Sequence, residues 1–328
     1  MKCAVIESYG KEISSLVIKE RKDLVSSGEN VRVQVAATAL NRADLLQRRG
    51  LYPAPLGAPQ DIPGLEFVGI IDQLGENVTI WKGGERVFGI IAGGGYASQV
   101  IVPERQVVRV PESLTDIEAA AIPEVFMVAH DALITHGQMR SGDLVLVHSV
   151  AGGLGTAAVQ LVNLFGGRAI GTAGSKEKLD AVGKFATFFP INYREENFQA
   201  RIEETFGKNT VDLILDTVGE AYWKQNMALL KYRGMLVLLG LLGGNKGETL
   251  LSNVLFKRLR IIGCAMRARP LEEKIAVAQA FAHEVLPHFE SGKLKPVVDS
   301  VYPFEQLHEA TARMEKGQNI GKIILTFS

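Results

Sequence analysis

Two patterns of hydrophobic and polar positions divide this chain. Up to about residue 120, short alternating or apolar runs at 31–35, 67–71, 87–91 and 99–102 are separated by glycine and proline turns. This pattern predicts a β-rich domain. From about residue 125 to 264, buried apolar runs alternate with helical stretches, with candidate strands at 144–148, 168–172, 211–215, 235–239 and 260–263. That rhythm is typical of a parallel sheet covered by helices.

The segment after residue 265 loses this rhythm. It predicts a helix at 271–289 and a final strand at 322–327, without further alternation of strands and helices. We therefore expect this tail to return to the first domain. The predicted fold class is α/β: residues 1–124 and 265–328 form a β-rich domain, and residues 125–264 form a doubly wound parallel sheet of the Rossmann type.

Charge and cysteine content exclude several classes of protein. Lys and Arg total 36 and Asp and Glu total 36, so the formal net charge is zero and no nucleic-acid partner is expected. No apolar run approaches the ~18 residues of a membrane-spanning helix, so no membrane insertion is expected. Only two cysteines occur, Cys3 and Cys264, which excludes a disulfide scaffold or a four-thiolate zinc site and predicts a reducing, cytoplasmic location.

A glycine-rich loop follows the first strand of the parallel region. Its candidate cofactor-binding residues are Ala151, Gly152, Gly153, Leu154 and Gly155, and a helical pattern begins directly after them. Strand, glycine turn and helix in this order favour binding of a dinucleotide pyrophosphate at the helix start. Val150 replaces the first glycine of the usual pattern, and a glycine turn without a ligand is the alternative.

The end of the next strand indicates which dinucleotide is bound. No acidic residue stands about 20 residues beyond the loop, where an NAD enzyme would hold the ribose hydroxyls. Gly174, Ser175 and Lys178 stand there instead, and a 2′-phosphate would accept hydrogen bonds from Ser175 and pair with Lys178. The sequence therefore predicts NADPH, with solvated lysines on an exposed turn as the alternative. Tyr193, at the end of the third strand, either flanks the phosphate or is a half-buried tyrosine.

Several segments together resemble one family. Segments 41–44, 50–53, 63–66, 119–124, 148–159, 172–178 and 319–322 are similar to the zinc-independent quinone oxidoreductase branch of the medium-chain dehydrogenase/reductase superfamily, and most to its tumour-suppressor-inducible subgroup. The resemblance implies a GroES-like catalytic domain, a Rossmann domain inserted before its last segment, and NADPH in the interdomain cleft. It also implies a homodimer formed through the Rossmann edge strand at 260–263.

The resemblance also implies roles for individual residues. The implied phosphate-recognition residues are Gly174, Lys178 and Tyr193, the further cofactor contacts are Gly240, Leu241, Arg267 and Asn319, and the nicotinamide and quinone pocket is lined by Asn41, Asp44 and Tyr52.

The segment Gly64-Leu65-Glu66 departs from zinc-dependent relatives, which carry a metal-binding histidine at the position of Leu65. We therefore expect no metal. Without a Lewis acid the substrate must be an easy acceptor, such as a quinone or an activated alkene. The hypothesis is that the Tyr52 hydroxyl and Asn41 orient the quinone oxygen while Asp44 fixes that network. Two alternatives remain: an NADPH-dependent enone or alkenal double-bond reductase, and a non-catalytic, redox-sensing NADPH-binding protein.

Overall fold

The computed structural model of the protein describes residues 1–327. The chain divides into two compact units. Unit 1 consists of Met1–Met127 and the chain from Met266 onward, and unit 2 consists of Val128–Ala265. The junctions predicted from the sequence lie after residues 124 and 264, and those of the structure lie after residues 127 and 265.

The strands and helices, in chain order, have the following bounds. The strands are β1 (Lys2–Ile6), β2 (Leu16–Glu20), β3 (Asn30–Ala39), β4 (Glu66–Leu74), β5 (Arg86–Ile90), β6 (Gln99–Pro103), β7 (Val108–Arg109), β8 (Leu144–Val147), β9 (Arg168–Ala173), β10 (Phe188–Asn192), β11 (Val211–Asp216), β12 (Leu230–Leu238), β13 (Arg260–Gly263), β14 (Val298–Pro303) and β15 (Lys322–Thr326). The helices are α1 (Arg42–Arg48), α2 (Asp116–Ala120), α3 (Pro123–His130), α4 (Gly153–Leu164), α5 (Lys176–Val182), α6 (Phe198–Phe206), α7 (Glu220–Leu229), α8 (Leu251–Lys257), α9 (Leu271–Glu284), α10 (Pro287–Glu290) and α11 (Leu307–Glu315). A π-helical stretch, Asp131–His136, follows α3.

Unit 2 is a parallel sheet with the strand order β10-β9-β8-β11-β12-β13. All four residues of β8 are buried, and neighbouring strands pair on both of its sides. The strand order reverses at β8, and open α/β sheets bind ligands at the carboxyl ends of the strands beside such a reversal. The prediction of a doubly wound parallel sheet is confirmed.

Unit 1 is built on a mainly antiparallel sheet. Its strands run in the order β14-β15-β3-β4-β5-β7, and β6 pairs with β3. Alternate valines of β3 point into an apolar core that also contains Phe67, Ile71 and Val87. This packing explains why the alternating runs in the first part of the sequence predicted strands correctly.

The tail differs from its prediction. One helix was expected at 271–289, but α9 ends at Glu284 and α10 begins at Pro287, which lacks a backbone N–H and is tolerated at a helix start. The expected absence of a further strand–helix–strand unit is also wrong. β14, α11 and β15 form such a unit, since β14 pairs with β15 in parallel. The residues of β14 are half-buried or exposed, so their sequence lacks the apolar alternation that reveals a strand.

No helix in residues 1–327 combines the length and the apolar character needed to cross a membrane.

Candidate active site

The loop after β8 turns so tightly that its backbone atoms approach one another closely. Ser149 has a left-handed backbone with φ of 54° and leads the chain towards Gly152, the N-cap of α4. A Cβ on Gly155 would lie 2.5 Å from the Ser149 carbonyl oxygen and 2.6 Å from the Val150 carbonyl carbon. Position 155 therefore accepts only glycine. We call residues 149–155 the glycine loop.

The start of α4 offers backbone donors to a ligand. Gly152 caps this 12-residue helix without a side-chain hydrogen bond, and a Cβ there would meet only the Ser149 carbonyl oxygen, at 3.4 Å. The first N–H groups of a helix have no acceptor within it, and the helix dipole adds partial positive charge at this end. The glycine loop thus fits a pyrophosphate, and the structure brings its predicted contacts together in one turn: Ala151, Gly152, Gly153, Leu154 and Gly155.

The turn after β9 gathers the residues predicted to recognise a 2′-phosphate. Ser175 is the N-cap of α5 and accepts a hydrogen bond from the Lys178 backbone N–H at 3.4 Å. A Cβ on Gly174 would lie 2.8 Å from the Tyr193 hydroxyl oxygen, so the ends of β9 and β10 adjoin here. Lys178 is half-buried and Tyr193 is 40% exposed. Lys176 instead pairs with an acidic side chain one turn further along α5, at 2.6 Å.

A buried polar network, which the sequence did not reveal, lies beside these turns in unit 2. The ring nitrogens of His148 lie 3.0 Å from the Thr172 hydroxyl oxygen and 2.9 Å from the Asn226 amide oxygen. Asn226 donates to Asp216 at 3.1 Å, and Asp216 accepts the backbone N–H of Val218 at 2.7 Å. Burial lowers the pKa of His148, so the imidazole is neutral at pH 7. The network joins the ends of β8, β9 and β11, after which these turns begin.

Two turns at the carboxyl ends of β11 and β12 are joined by backbone hydrogen bonds. The N–H groups of Leu242 and Gly243 donate to the carbonyls of Thr217 and Val218 at 3.2 and 2.7 Å. A Cβ on Gly240 would lie 2.9 Å from the Thr217 carbonyl oxygen, so this position needs glycine. The neighbouring Leu241 is 51% exposed. The structure thus places Gly240 and Leu241 at the carboxyl ends of the parallel strands, where open α/β sheets commonly bind ligands.

Unit 1 contains a buried cluster of three carboxyl groups, Asp44, Glu66 and Glu124, which we call the carboxylate cluster. Glu66 is fully buried, and its Oε1 accepts hydrogen bonds from Lys322 Nζ at 2.7 Å and from the Asn41 amide at 2.8 Å. Its Oε2 accepts the backbone N–H of Glu124 at 2.9 Å. Glu66 is therefore a carboxylate bonded by a cation, an amide and a helix start.

Asn41 belongs to the support of this cluster. Its amide nitrogen donates to Glu66 and, at 3.3 Å, to the Ala39 carbonyl, while its oxygen accepts from Lys322 at 2.7 Å. Both amide hydrogens are thus engaged within unit 1. The predicted donation from Asn41 to a quinone oxygen would require breaking one of these bonds.

Asp44 lies at the third position of α1 and accepts three hydrogen bonds. The donors are the backbone N–H of Asn41 at 2.7 Å, the backbone N–H of Gly64 at 3.1 Å and the Tyr96 hydroxyl at 2.9 Å. Burial raises the pKa of Asp44 to about 6, against the lowering effect of these donors. Asp44 thus belongs to a hydrogen-bond network within unit 1, and its role towards a substrate stays a prediction.

Arg267 holds the segment that carries Tyr52. Its guanidinium donates to the carbonyls of Ala92 and Tyr52 at 2.6 and 2.8 Å and to the Gln47 side chain at 2.6 Å. It also lies 5.2 Å from the centre of the Tyr52 ring, a cation–π distance. Burial raises the pKa of the half-buried Tyr52, so its phenol keeps its proton at neutral pH.

Asn319, the other predicted cofactor contact of the tail, donates its side-chain amide to the Gly321 carbonyl at 2.9 Å. It is half-buried in unit 1.

Comparison with known proteins gives the family. Residues 27–112 match the family described as the alcohol dehydrogenase GroES-like domain, and residues 153–282 match the family described as zinc-binding dehydrogenase. Human quinone oxidoreductase is 30% identical over 317 residues, which cover 94% of this chain and 93% of the human protein. The chain belongs to the quinone oxidoreductase branch of the medium-chain dehydrogenase/reductase superfamily. A zebrafish synaptic vesicle membrane protein VAT-1 homolog is 32% identical over 337 residues, covering 98% of this chain and 69% of that protein.

Solved structures of this superfamily share the fold over the whole chain. Escherichia coli quinone oxidoreductase complexed with NADPH superimposes with a TM-score of 0.87 at 25% identity, covering 99% of this chain and 100% of that one. The CurK enoyl reductase superimposes with a TM-score of 0.84 at 26% identity, covering 100% and 99% of the two chains. The GroES-like and Rossmann-type character of the two units is therefore confirmed.

Zinc binding requires side chains that can act as metal ligands. Leu65 has no ligand atom and is buried, and the neighbouring Glu66 is bonded to Lys322. Within residues 1–327, one group of three possible ligands has its atoms within 4.8 Å of one another: Asp131, His136 and Cys264, in unit 2. None of them is a predicted site residue.

Proposed function

We propose that this protein is an NADPH-dependent, zinc-independent quinone oxidoreductase. The observation that carries the proposal is the environment of Glu66. A lysine ammonium, rather than a set of histidine and cysteine ligands, occupies the polar cluster of the GroES-like unit. Such a site lacks the groups that would hold a Lewis acid, so it suits acceptors whose reduced form spreads the added charge by itself.

The turn after β9 supports NADPH over NADH. Gly174, Ser175, Lys178 and Tyr193 together offer a hydroxyl donor, an ammonium and a flanking aromatic ring, and no carboxylate among them would bind the ribose hydroxyls. Replacement of Lys178 by Gln should raise the KM for NADPH about 10- to 150-fold and leave that for NADH nearly unchanged, because one charge-assisted hydrogen bond to phosphate contributes ~1.5–3 kcal/mol. Lys184→Gln, on the exposed end of the same segment, is the control.

In the proposed reaction the protein chiefly orients the acceptor. NADPH, when bound, supplies a hydride to the quinone. The Tyr52 hydroxyl donates a hydrogen bond to the quinone oxygen, and Arg267 fixes the backbone and ring of Tyr52. Asn41 and Asp44 hold the surrounding cluster, so Asn41 is a positioning residue and not a donor to substrate.

Steady-state oxidation of NADPH and NADH with a panel of 1,2- and 1,4-quinones, enones and alkenals tests the proposal. We expect quinones to be reduced with the higher kcat/KM and NADPH to be preferred. Tyr52→Phe should lower quinone turnover about tenfold, and Tyr9→Phe, an exposed tyrosine, should not. A clear preference for enones would favour the double-bond reductase, which the enoyl reductase neighbour also supports. NADPH binding without turnover of any acceptor would favour the redox-sensing alternative.

We also propose a homodimer formed through the edge of the unit 2 sheet. β13 is the last strand of that sheet, and three of its four residues are exposed. No residue of the adjacent α8 is buried, and its Leu251, Leu255 and Phe256 are exposed. An uncovered strand edge beside large apolar side chains is suited to pairing with a second copy. Light scattering should give a dimer mass, and Leu255→Glu with Phe256→Glu should give the monomer mass.

A further inference from the structure

Glu124 is a half-buried residue with a buried carboxyl oxygen, and the proposed reaction has no role for it so far. It is the second residue of α3, and its backbone N–H donates to Glu66. Its side-chain Oε2 is buried and has no hydrogen-bond partner among residues 1–327. A buried ionised oxygen without a donor is strongly disfavoured, so the position selects the neutral acid.

The two cations near Glu124 are bound to other groups. The Lys322 ammonium has three hydrogens, and these reach the Leu40 carbonyl at 2.9 Å, Asn41 at 2.7 Å and Glu66 at 2.7 Å. Arg267 directs its donors to the backbone and side chain around Tyr52. Glu124 therefore receives long-range attraction from both cations but no direct bond from either.

Burial raises the pKa of Glu124 to about 8, and the negative charge of Glu66 is the next largest cause. Asp44 acts in the same direction, whereas Lys322 and Arg267 act against it. The group consequently carries a proton at pH 7. Asp44 has a lower pKa, and its three donors make it an acceptor, so it does not compete for this role.

Glu124 also lies near the residue proposed to orient the acceptor. Its charge, when present, raises the pKa of Tyr52, and Tyr52 is half-buried, as is Glu124 itself. A carboxylic acid that keeps its proton at neutral pH and is electrostatically coupled to a phenol donor has the features of a general acid.

We propose that Glu124 delivers the proton that the acceptor takes up in addition to the hydride. This inference rests on the proposed function. When bound, NADPH would supply a hydride, and the hydrogen and electron pair of its broken C–H bond would form one O–H bond of the hydroquinone. The O–H bond of Glu124 breaks and its proton forms an O–H bond of the hydroquinone. Solvent then returns a proton to the Glu124 carboxylate, so one quinone, one NADPH and one proton give one hydroquinone and one NADP⁺.

The first test is infrared difference spectroscopy of the cofactor-free protein between pH 7 and pH 10. Wild type should lose a carbonyl band of a protonated carboxyl group as the pH passes about 8, and Glu124→Gln should lack that band. Persistence of the band in Glu124→Gln, or its absence from wild type, would overturn the inference. The exposed Glu309→Gln is the control and should behave as wild type.

The second test is the pH profile of quinone reduction. Wild-type kcat should fall as the pH rises through about 8, and Glu124→Gln should have a kcat about 10²-fold lower without that descending limb. If wild type reduces quinones but Glu124→Gln keeps both the rate and the limb, Glu124 is not the donor and the proposed function stands. If wild type reduces no acceptor, the proposed function itself fails and proton delivery fails with it.

Discussion

Lys322→Met should strongly destabilise unit 1. The substitution keeps most of the side-chain volume but removes the cation that bonds Glu66. Lys322 and Glu66 have side chains that are 4% and 0% exposed, with 2.7 Å between Nζ and Oε1. Removing one partner of such a buried pair leaves an uncompensated charge and costs about 3–5 kcal/mol. At about 2 °C per kcal/mol for a chain of this size, Tm should fall by about 6–10 °C.

The assay is thermal and urea unfolding of four proteins: wild type, Lys322→Met, Glu66→Leu and the double variant. The double variant should recover most of the loss, since a well-packed apolar pair can replace a buried ion pair. Lys2→Met breaks an exposed pair with Glu305 at 2.6 Å and should leave the unfolding midpoint unchanged. If Lys322→Met lowers the free energy of unfolding by less than about 1 kcal/mol, the reasoning that Glu66 depends on this cation is refuted.

Three further predictions follow from the same geometry. Gly155→Ala should weaken NADPH binding at least tenfold in a fluorescence titration, because its Cβ would meet backbone at 2.5 Å, whereas Gly83→Ala, with nothing within 4 Å, should bind normally. Exhaustive chelation should leave quinone turnover unchanged in wild type and in Cys264→Ser, and a loss that zinc restores would contradict a zinc-independent reaction. The Tm of Glu124→Gln, measured relative to that of wild type, should increase as the pH rises from about 5 to 9. A pKa raised from 4.5 to about 8 on folding means that wild type loses stability across that range, by at most about 5 kcal/mol; parallel Tm curves would contradict this.

The parts of the fold that depend on local pattern could be predicted from the sequence. The strand β8 is recognisable as a buried apolar run. The glycine loop is recognisable because it stands directly between that strand and the helix α4. The strand–helix–strand unit of the tail escaped prediction because β14 is half-exposed and shows no clean alternation. Where burial does not impose a period on a strand, its sequence carries little signal.

The carboxylate cluster depends on contacts between distant parts of the chain. Glu66 is hydrogen-bonded to Glu124 and to Lys322, which lie 58 and 256 positions away in the sequence. The sequence includes Glu124 in a family-like segment, but only the folded unit shows that both nearby cations are bound elsewhere. His148 was missed for the same reason, because its partners Thr172 and Asn226 lie 24 and 78 positions away.

The most direct measurement of the central claim is an anaerobic single-turnover reaction. The NADPH-loaded protein is mixed with excess 1,2- or 1,4-quinone, and the absorbance of the reduced nicotinamide is followed. We expect one equivalent of NADPH to be oxidised per site, faster than with NADH or with an enone. NADPH that stays bound and reduced in the presence of every quinone would contradict the account.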